Sequence, residues 1–363
     1  MLIFYSGMLG SFFPQLGIEI DIRRWRVMGT TIKDVAKKAG VSPTTVSLVF
    51  NNRESRVSET TRERVMAVAK ELNYYPNHFA ASLVTKRSHI IGVVSDSVNI
   101  FSAQVIGGIV RQAKLEGYQV VQVSALQESE DDIEYLNIFL NQGIDGVIFP
   151  HSSICSVKNL KNGFQSVIRS GIPAIAMDVE INGATSCADV CDHVYGGYLA
   201  TRHLIDYGHR KIGAISGPKD YISSIKRLDG YCKALEEAGI LFDPSLVYTG
   251  NYKLESGQDA LPYLLGKGVT AIFAFNDMIA LGLYKAIRNF GMSIPKDISV
   301  VGYDDIFISD VLEVPLTTVH IPIEDIGRRA AQELVELIEN KQPAADLKKC
   351  EPVLMVRAST RRL

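Results

Sequence analysis

Apolar positions change their spacing along the chain, and each change marks a different kind of element. From Thr31 to Val49 the string TIKDVAKKAGVSPTTVSLV sets Ile32, Val35, Ala36 and Ala39 at three- and four-residue intervals, with Lys33, Lys37 and Lys38 on the other side. That spacing predicts a short amphipathic helix. Thr31 stands where its hydroxyl is expected to cap free backbone N–H groups, Asp34 puts negative charge in the first turn, and Gly40 ends the helix. Ser42 is a natural N-cap and Pro43 a natural first helical residue, so a second helix is expected from Pro43, with Val46 and Val49 turned inward. A third helix opens at Ser58 and gathers Val65, Val68, Ala69 and Leu72 on one side. Three such helices close a minimal core, and the first two have the layout of a helix-turn-helix.

Beyond Ile90 the pattern alternates. Apolar runs bounded by Gly, Pro or Asp read as strands at IIGVVSD, YQVVQVSA, GIDGVIFP, IPAIAMD, KIGAISG, AIFAFND and SVVGYDD, and amphipathic stretches such as Gln104 to Glu116, Leu199 to Tyr207, Leu228 to Ala238 and Ile279 to Phe290 lie between them. The alternation predicts an α/β body of parallel sheets with helices on both faces. Seven strands over residues 90–363 suit two doubly wound lobes, with a ligand crevice at the carboxyl ends of the strands. Polar residues at those ends are Ser95, Asp96, His151, Asp178, Asn276, Asp277, Asp304 and Asp305. Between head and body, Pro76 breaks the third helix, Asn77 can cap a new one, and Phe79 to Leu83 suffice for one or two turns. So short a helix needs a partner to persist. The expected division is therefore an extension at 1–29, a helix-turn-helix unit at 30–76, a hinge helix and linker at 77–89, and a two-lobed body at 90–363.

Charge sharpens this picture. Residues 30–89 carry ten Lys and Arg against five Asp and Glu, whereas residues 90–363 carry 25 against 33. A basic head on an acidic body fits a domain that displaces counterions from nucleic-acid phosphates. No apolar run reaches the roughly 18–20 residues a membrane helix needs, so no membrane partner is expected. The cysteines, Cys155, Cys187, Cys191, Cys232 and Cys350, form no C-x-x-C pair and are odd in number, which favours reduced, buried thiols and a cytoplasmic setting. Cys187, Cys191 and His193 lack a fourth metal ligand, so no metal is expected. The chain has no G-x-G-x-x-G, P-loop or G-x-S-x-G string; no cofactor and no catalytic residue are expected. Asp304 and Asp305 could in principle act as an acid pair, yet strand-end Asp residues more often cap helices or accept hydrogen bonds from a ligand. The first 29 residues lack a basic stretch before their apolar run, so a signal peptide is not expected; the segment reads as dispensable, with Met28 as an alternative start.

Residues 30–363 closely resemble the lactose-repressor family of bacterial transcription regulators, to which the purine repressor also belongs. The strings TIKDVAKKAGVSPTTVS, VSETTRERV, ELNYYPN, GYLATRHLIDYGHRKI, FNDMIALG, ISVVGYDD and PLTTVHIP carry the resemblance in the family's order. It implies a DNA-binding headpiece, a hinge helix and a periplasmic-binding-protein-like effector domain, working as a homodimer on double-stranded operator DNA. By that resemblance Pro43, Thr44 and Leu48 occupy base-reading positions, and Ser42, Thr45, Ser47, Asn51, Ser58, Thr61 and Asn77 backbone-contacting positions. Leu48 departs from the Arg or His common there, and an apolar side chain can touch a thymine methyl but not hydrogen-bond a base. Leu83 matches the hinge leucine that wedges into the minor groove.

In the crevice the resemblance places Arg227, Asn276 and Asp304 at effector positions, with Asp178, Phe101 and Tyr252 beside them. A fork donor, an amide, an acceptor and flat rings can hold a sugar or a nucleobase. A sugar-responsive repressor is the principal expectation, and a purine co-repressor the nearest alternative. A solute-binding protein would share the lobes but has no use for Thr31 to Leu72, and an α/β enzyme would share the fold class without a motif nucleophile. His209 and Arg210 read as structural, since they precede a strand at the end away from the crevice. The chain's last residues, STRRL, add no leucine-heptad tail, so a dimer is expected over a tetramer.

Overall fold

The amphipathic spacing of the head produces three helices, α1 (Ile32–Ala39), α2 (Pro43–Phe50) and α3 (Glu59–Glu71). They bury Val35, Ala36, Ala39, Val46, Val49, Val65 and Ala69, with Ile32, Val41, Phe50, Val57, Val68, Leu72 and Tyr74 packed around them. The computed structural model describes residues 30–50, 57–74, 87–95, 100–124, 138–139, 143–150, 164–177, 186–187, 191–340 and 350–363. The chain divides into two compact units, Met1–Val84 and Thr85–Leu363. Gly40 ends α1 in the left-handed region, φ 66°, which a residue without Cβ adopts at little cost. The α1 start differs from expectation. The Thr31 hydroxyl donates to the Asp34 carboxylate at 2.7 Å, and the same carboxylate accepts the Thr31 N–H at 2.8 Å. These two bonds hold Asp34 below the usual carboxylate range. Asp34, an ionised acceptor, thus takes the capping part assigned to Thr31.

The second unit is α/β. Its first sheet has the order β2-β1-β3-β4-β5, from β1 (Ile90–Ser95), β2 (Gln119–Ser124), β3 (Gly146–Phe149), β4 (Ala174–Met177) and β5 (Ser186–Cys187), all parallel. Helix α4 (Ile100–Leu115) packs on it. The second lobe begins at α5 (His193–Asp206) and continues through β6 (Ile212–Ser216), α6 (Ile222–Glu237), β7 (Val247–Thr249), α7 (Leu254–Gly266), β8 (Ala271–Ala274), α8 (Asp277–Asn289), β9 (Ser299–Asp304) and β10 (Thr317–His320). The chain then returns to the first lobe as α9 (Ile323–Ile338), which packs on α4, β3 and β4, and ends in the second sheet as β11 (Val353–Met355). That sheet has the order β11-β10-β9-β8-β6-β7, parallel but for β11. Every residue of β3, β4, β6, β8 and β9 is buried. Helices cover both faces of these sheets, so the strands read as continuous apolar runs.

Eleven strands, not seven, are present among the described residues. The four unexpected ones are short or lack an apolar signature: β5 has two residues, β7 and β11 three, and β10 is built on Thr317 and Thr318, fully buried yet polar. Helix α7 carries Pro262 in its interior, a breaker signal that tertiary packing overrides. Helices α5 and α6 start about a turn and a half before the expected Leu199 and Leu228, because HVYGGY and ISSIKR have no apolar stripe. Glycine serves packing there instead. A Cβ on Gly230 of α6 would stand 2.0 Å from the Val194 carbonyl oxygen of α5, so only glycine lets the two helices meet this closely.

Candidate effector site and nucleic-acid interface

Helix α6 projects Arg227 from its second turn into the second lobe, where the side chain is buried. Its guanidinium carbon lies 3.7 Å from the centroid of the Tyr303 ring and 5.7 Å from that of Tyr252. A delocalised cation over an aromatic face keeps favourable electrostatics after losing water. Nη1 donates to the Phe275 carbonyl, and Nη2 faces Oδ1 of Asp304 at 3.5 Å. Both side chains of that pair are about nineteen-twentieths buried, with relative exposures of 6% and 5%. The Tyr303 hydroxyl meets Nδ1 of His193 at 3.1 Å, and burial pushes that phenol well above the ordinary tyrosine range.

Asp304 ends β9 with φ 107°, and Asp305 follows with φ 59°. Two successive left-handed residues turn neighbouring carboxylates apart. Asp304 faces Arg227, whereas Asp305 accepts from Arg357 Nη2 at 2.7 Å and pairs with His320 Nδ1 at 3.0 Å. The pair is therefore not arranged as two acids sharing one proton or one ion. Asp277 is likewise turned inward. Fully buried, it accepts from Thr318 Oγ1 at 2.6 Å, Ser309 Oγ at 2.7 Å and the Ile306 N–H at 3.0 Å. Burial pushes its carboxyl up to about 6 against those three donors.

Tyr252, at φ 63°, fixes the next wall. Its hydroxyl engages Ser224 Oγ at 2.7 Å and Ser223 Oγ at 3.0 Å, and its carbonyl accepts from Asn276 Nδ2 at 3.0 Å. Asn276 Oδ1 accepts the Ile279 N–H at 2.9 Å and so caps α8. Its amide was expected to offer donor and acceptor to a ligand; each end instead has a partner inside the protein, leaving one N–H and one lone pair at most. Arg227, Tyr252, Asn276 and Asp304 are thus brought together at the carboxyl edge of the second sheet. Phe101 sits apart from them in sequence and lobe, half-buried in the first turn of α4. Asp178, Asp96 and His151 lie outside the described residues.

Ser223, Ser224, Tyr303 and His193 enter this cluster without having been singled out for it. The two serines carried a usable signal, since positions i−4 and i−3 from Arg227 share its helix face. Tyr303 and His193 carried none: their neighbourhood depends on chain 110 residues apart. His209 is fully buried away from the cluster, bonded to Thr270 Oγ1 at 2.9 Å and the Arg361 carbonyl at 3.1 Å, as its structural reading expected. Cys191 and His193 also have partners within the protein, the Cys350 carbonyl and Tyr303. Among the described residues no group of three potential ligands gathers for a metal.

In the N-terminal unit, Ser42 Oγ accepts the Thr45 N–H at 3.1 Å and bonds the Thr45 hydroxyl at 2.9 Å, so it caps α2. Ser42, Pro43 and Thr44 are exposed at the start of α2, and Thr45, Ser47 and Leu48 are half-buried along it. Ser58 and Thr61 share a hydroxyl contact of 2.9 Å at the start of α3. These side chains form a hydroxyl-rich edge at two helix N-termini, where backbone N–H groups and the helix dipole favour an anion such as phosphate. Asn51, Asn77 and Leu83 lie outside the described residues.

Comparison with known proteins finds a match for each unit. Residues 31–77 match the family described as bacterial regulatory proteins, lacI family, and residues 201–360 match a periplasmic binding protein-like domain. The HTH-type transcriptional repressor PurR of Vibrio campbellii is 34% identical over 336 residues, 92% of this chain and 99% of that protein. The lac repressor dimer bound to operator and the anti-inducer ONPF is 30% identical with a TM-score of 0.77, covering 92% of this chain and 99% of that one. The complex of the transcriptional regulator CelR with cellobiose is 31% identical with a TM-score of 0.64, covering 91% and 99%.

Proposed function

The chain belongs to the lacI family of bacterial regulatory proteins, and on that premise we propose that this DNA-binding transcriptional repressor takes a sugar as its effector. It is a regulator and not an enzyme. The observation that carries the sugar reading is the buried Arg227–Asp304 pair at 3.5 Å. That separation exceeds the roughly 2.7–2.9 Å of a charge-assisted hydrogen bond, so the pair is not closed on itself, and a hydroxyl seated beside it can accept from the guanidinium and donate to the carboxylate. Ser223, Ser224 and the Tyr252 hydroxyl add donors and acceptors suited to a polyol rather than to a planar base. The cellobiose complex among similar structures points the same way. The similarity to PurR supports the second reading, a purine that acts as co-repressor.

On the DNA side, Pro43, Thr44 and Leu48 are proposed to reach base edges, and Ser42, Thr45, Ser47, Ser58 and Thr61 the phosphates, in a homodimer whose two heads read two half-sites. A DNA partner puts the protein's work in the cytoplasm. Effector and operator are then linked through whichever lobe arrangement each prefers.

Thermal unfolding of the full chain with cellobiose, ribose, hypoxanthine and guanine tests the effector class. A sugar at about 100 times its Kd adds roughly 2.7 kcal/mol of stability. The expected result is a sugar-dependent rise that Arg227→Ala abolishes. A rise with purines alone replaces the sugar reading by the co-repressor one, and a sugar response unchanged in Arg227→Ala removes the site.

A further inference from the structure

The polypeptide passes between the lobes three times, between β5 and α5, between β10 and α9, and between α9 and β11. Cys191 lies on the first of these passages and Cys350 on the third. The two are the paired residues of an isolated parallel bridge. The Asp192 N–H donates to the Cys350 carbonyl at 3.2 Å, and the Cys191 thiol donates to the same oxygen at 3.4 Å. Neighbouring strands run about 4.8 Å apart, within the roughly 4.4–6.8 Å Cα separation that a disulfide spans. Residues paired in a parallel bridge also direct their side chains to one face, so both sulfurs lie on the same side.

The two thiols are unequal. The adjoining Cys191 side chain holds Cys350 below the usual thiol value, and Arg329 adds to this against the effect of burial. Cys191 is driven the other way, by the facing Cys350 side chain and by desolvation. Both residues are buried, so the pair is open at most to a small oxidant, and the sulfur held nearer its thiolate, that of Cys350, is the one that reacts first.

We propose that Cys191 and Cys350 are a peroxide-responsive dithiol that closes to an intramolecular disulfide tying two lobe passages together. The Cys350 thiolate attacks one oxygen of hydrogen peroxide; the O–O bond breaks, Cys350 becomes a sulfenic acid, and hydroxide leaves and takes up the proton that Cys350 released. The Cys191 sulfur then attacks the sulfenic sulfur; the S–S bond forms, the S–O bond breaks, and a second water leaves with the Cys191 proton. Two electrons pass from the thiols to the peroxide. The link spans a separation of 159 residues and fixes the first passage against the third, which couples oxidation to the freedom of the lobes to close.

The test treats the full chain with a few equivalents of hydrogen peroxide, blocks remaining thiols with a maleimide, and maps peptides without reduction. The expected result is one cross-linked peptide containing Cys191 and Cys350, three of the five thiols still titratable, and reversal by dithiothreitol. Cys232→Ser leaves the link in place, and Cys350→Ser removes it. The oxidised chain unfolds at least about 5 °C higher than the reduced one, because the cross-link restricts the unfolded ensemble. Sulfinic acid at Cys350 without a link, a link to Cys187 or Cys155, a link between chains, or a lower unfolding temperature overturns the proposal. Peptide mapping of the unsubstituted chain decides the matter even if a serine variant does not fold.

Discussion

In the helix-turn-helix unit, Ser42 bonds Thr45 and Ser58 bonds Thr61, each three residues away. In the second lobe, Arg227 reaches Phe275 across 48 residues and His193 reaches Tyr303 across 110. The two regions hold their polar side chains by different means. The head exposes short hydroxyls on helix starts whose geometry is set by the next turn of chain. The lobe buries a cation, a carboxylate and a phenol together, and each is held by segments that only folding brings close. The first arrangement tolerates local change because water remains available to every group. The second is stable only when all its members are present, since a buried polar group without its partner keeps its full desolvation cost.

The strongest way to break the comparison is Gly230→Val. A side chain there must enter the Val194 carbonyl, forcing α5 from α6 and carrying Arg227 away from Tyr303. The expected loss is about 3 kcal/mol or more of stability in urea unfolding, together with loss of effector response. A loss below about 1 kcal/mol would show that the two helices adjust independently of the site.

A pH titration sharpens it next. His203, buried against Thr360 at 2.9 Å, has its pKa pushed down to about 4, first by burial. A histidine whose folded value is depressed contributes stability above the ordinary value of 6.5 that is lost as pH falls from there toward 4. Asp277 has the opposite sign. Its folded value near 6 exceeds the ordinary 3.8, so its contribution is fullest below 3.8 and declines as pH rises through 6. The expected outcome is that His203→Gln flattens the acid limb by about 2 kcal/mol, and that Asp277→Asn flattens the opposing slope between about pH 4 and 6. Unchanged slopes in both variants would mean that neither group titrates differently in the folded and unfolded chain.

The smallest expected effect belongs to the head. Ser42→Ala removes the α2 cap and is expected to cost about 1 kcal/mol, with the helices otherwise retained by circular dichroism. If Ser42 also meets a phosphate, operator binding weakens uniformly across sequences. A cost above about 3 kcal/mol would show that the head is as intolerant of local change as the lobe.

The sequence by itself determined the three head helices, the alternation of the body and the sheet edge on which Asn276 and Asp304 fall. Those signals repeat over three to four residues, as in Val35, Ala36 and Ala39, or run continuously, as in Ile212 to Ser216. Strand ends could likewise be read from the polar residue that closes each run, which is why Asn276 and Asp304 were found. Only the tertiary structure decided which of those polar residues join the Arg227 cluster. Asp304 turns to Arg227, while Asp277 and Asp305, one residue from Asn276 and Asp304, are committed to Thr318, Ser309, Arg357 and His320. Two left-handed backbone angles and a set of partners 15 to 52 residues away separate those roles. Strand β10 escaped for the same reason, because Thr317 and Thr318 are polar in sequence and become core residues only once the Arg357 N–H and the Asp277 carboxylate take up their hydroxyls. Local pattern fixes what a segment can form, and the contacts made across the fold fix what each polar group is left to do.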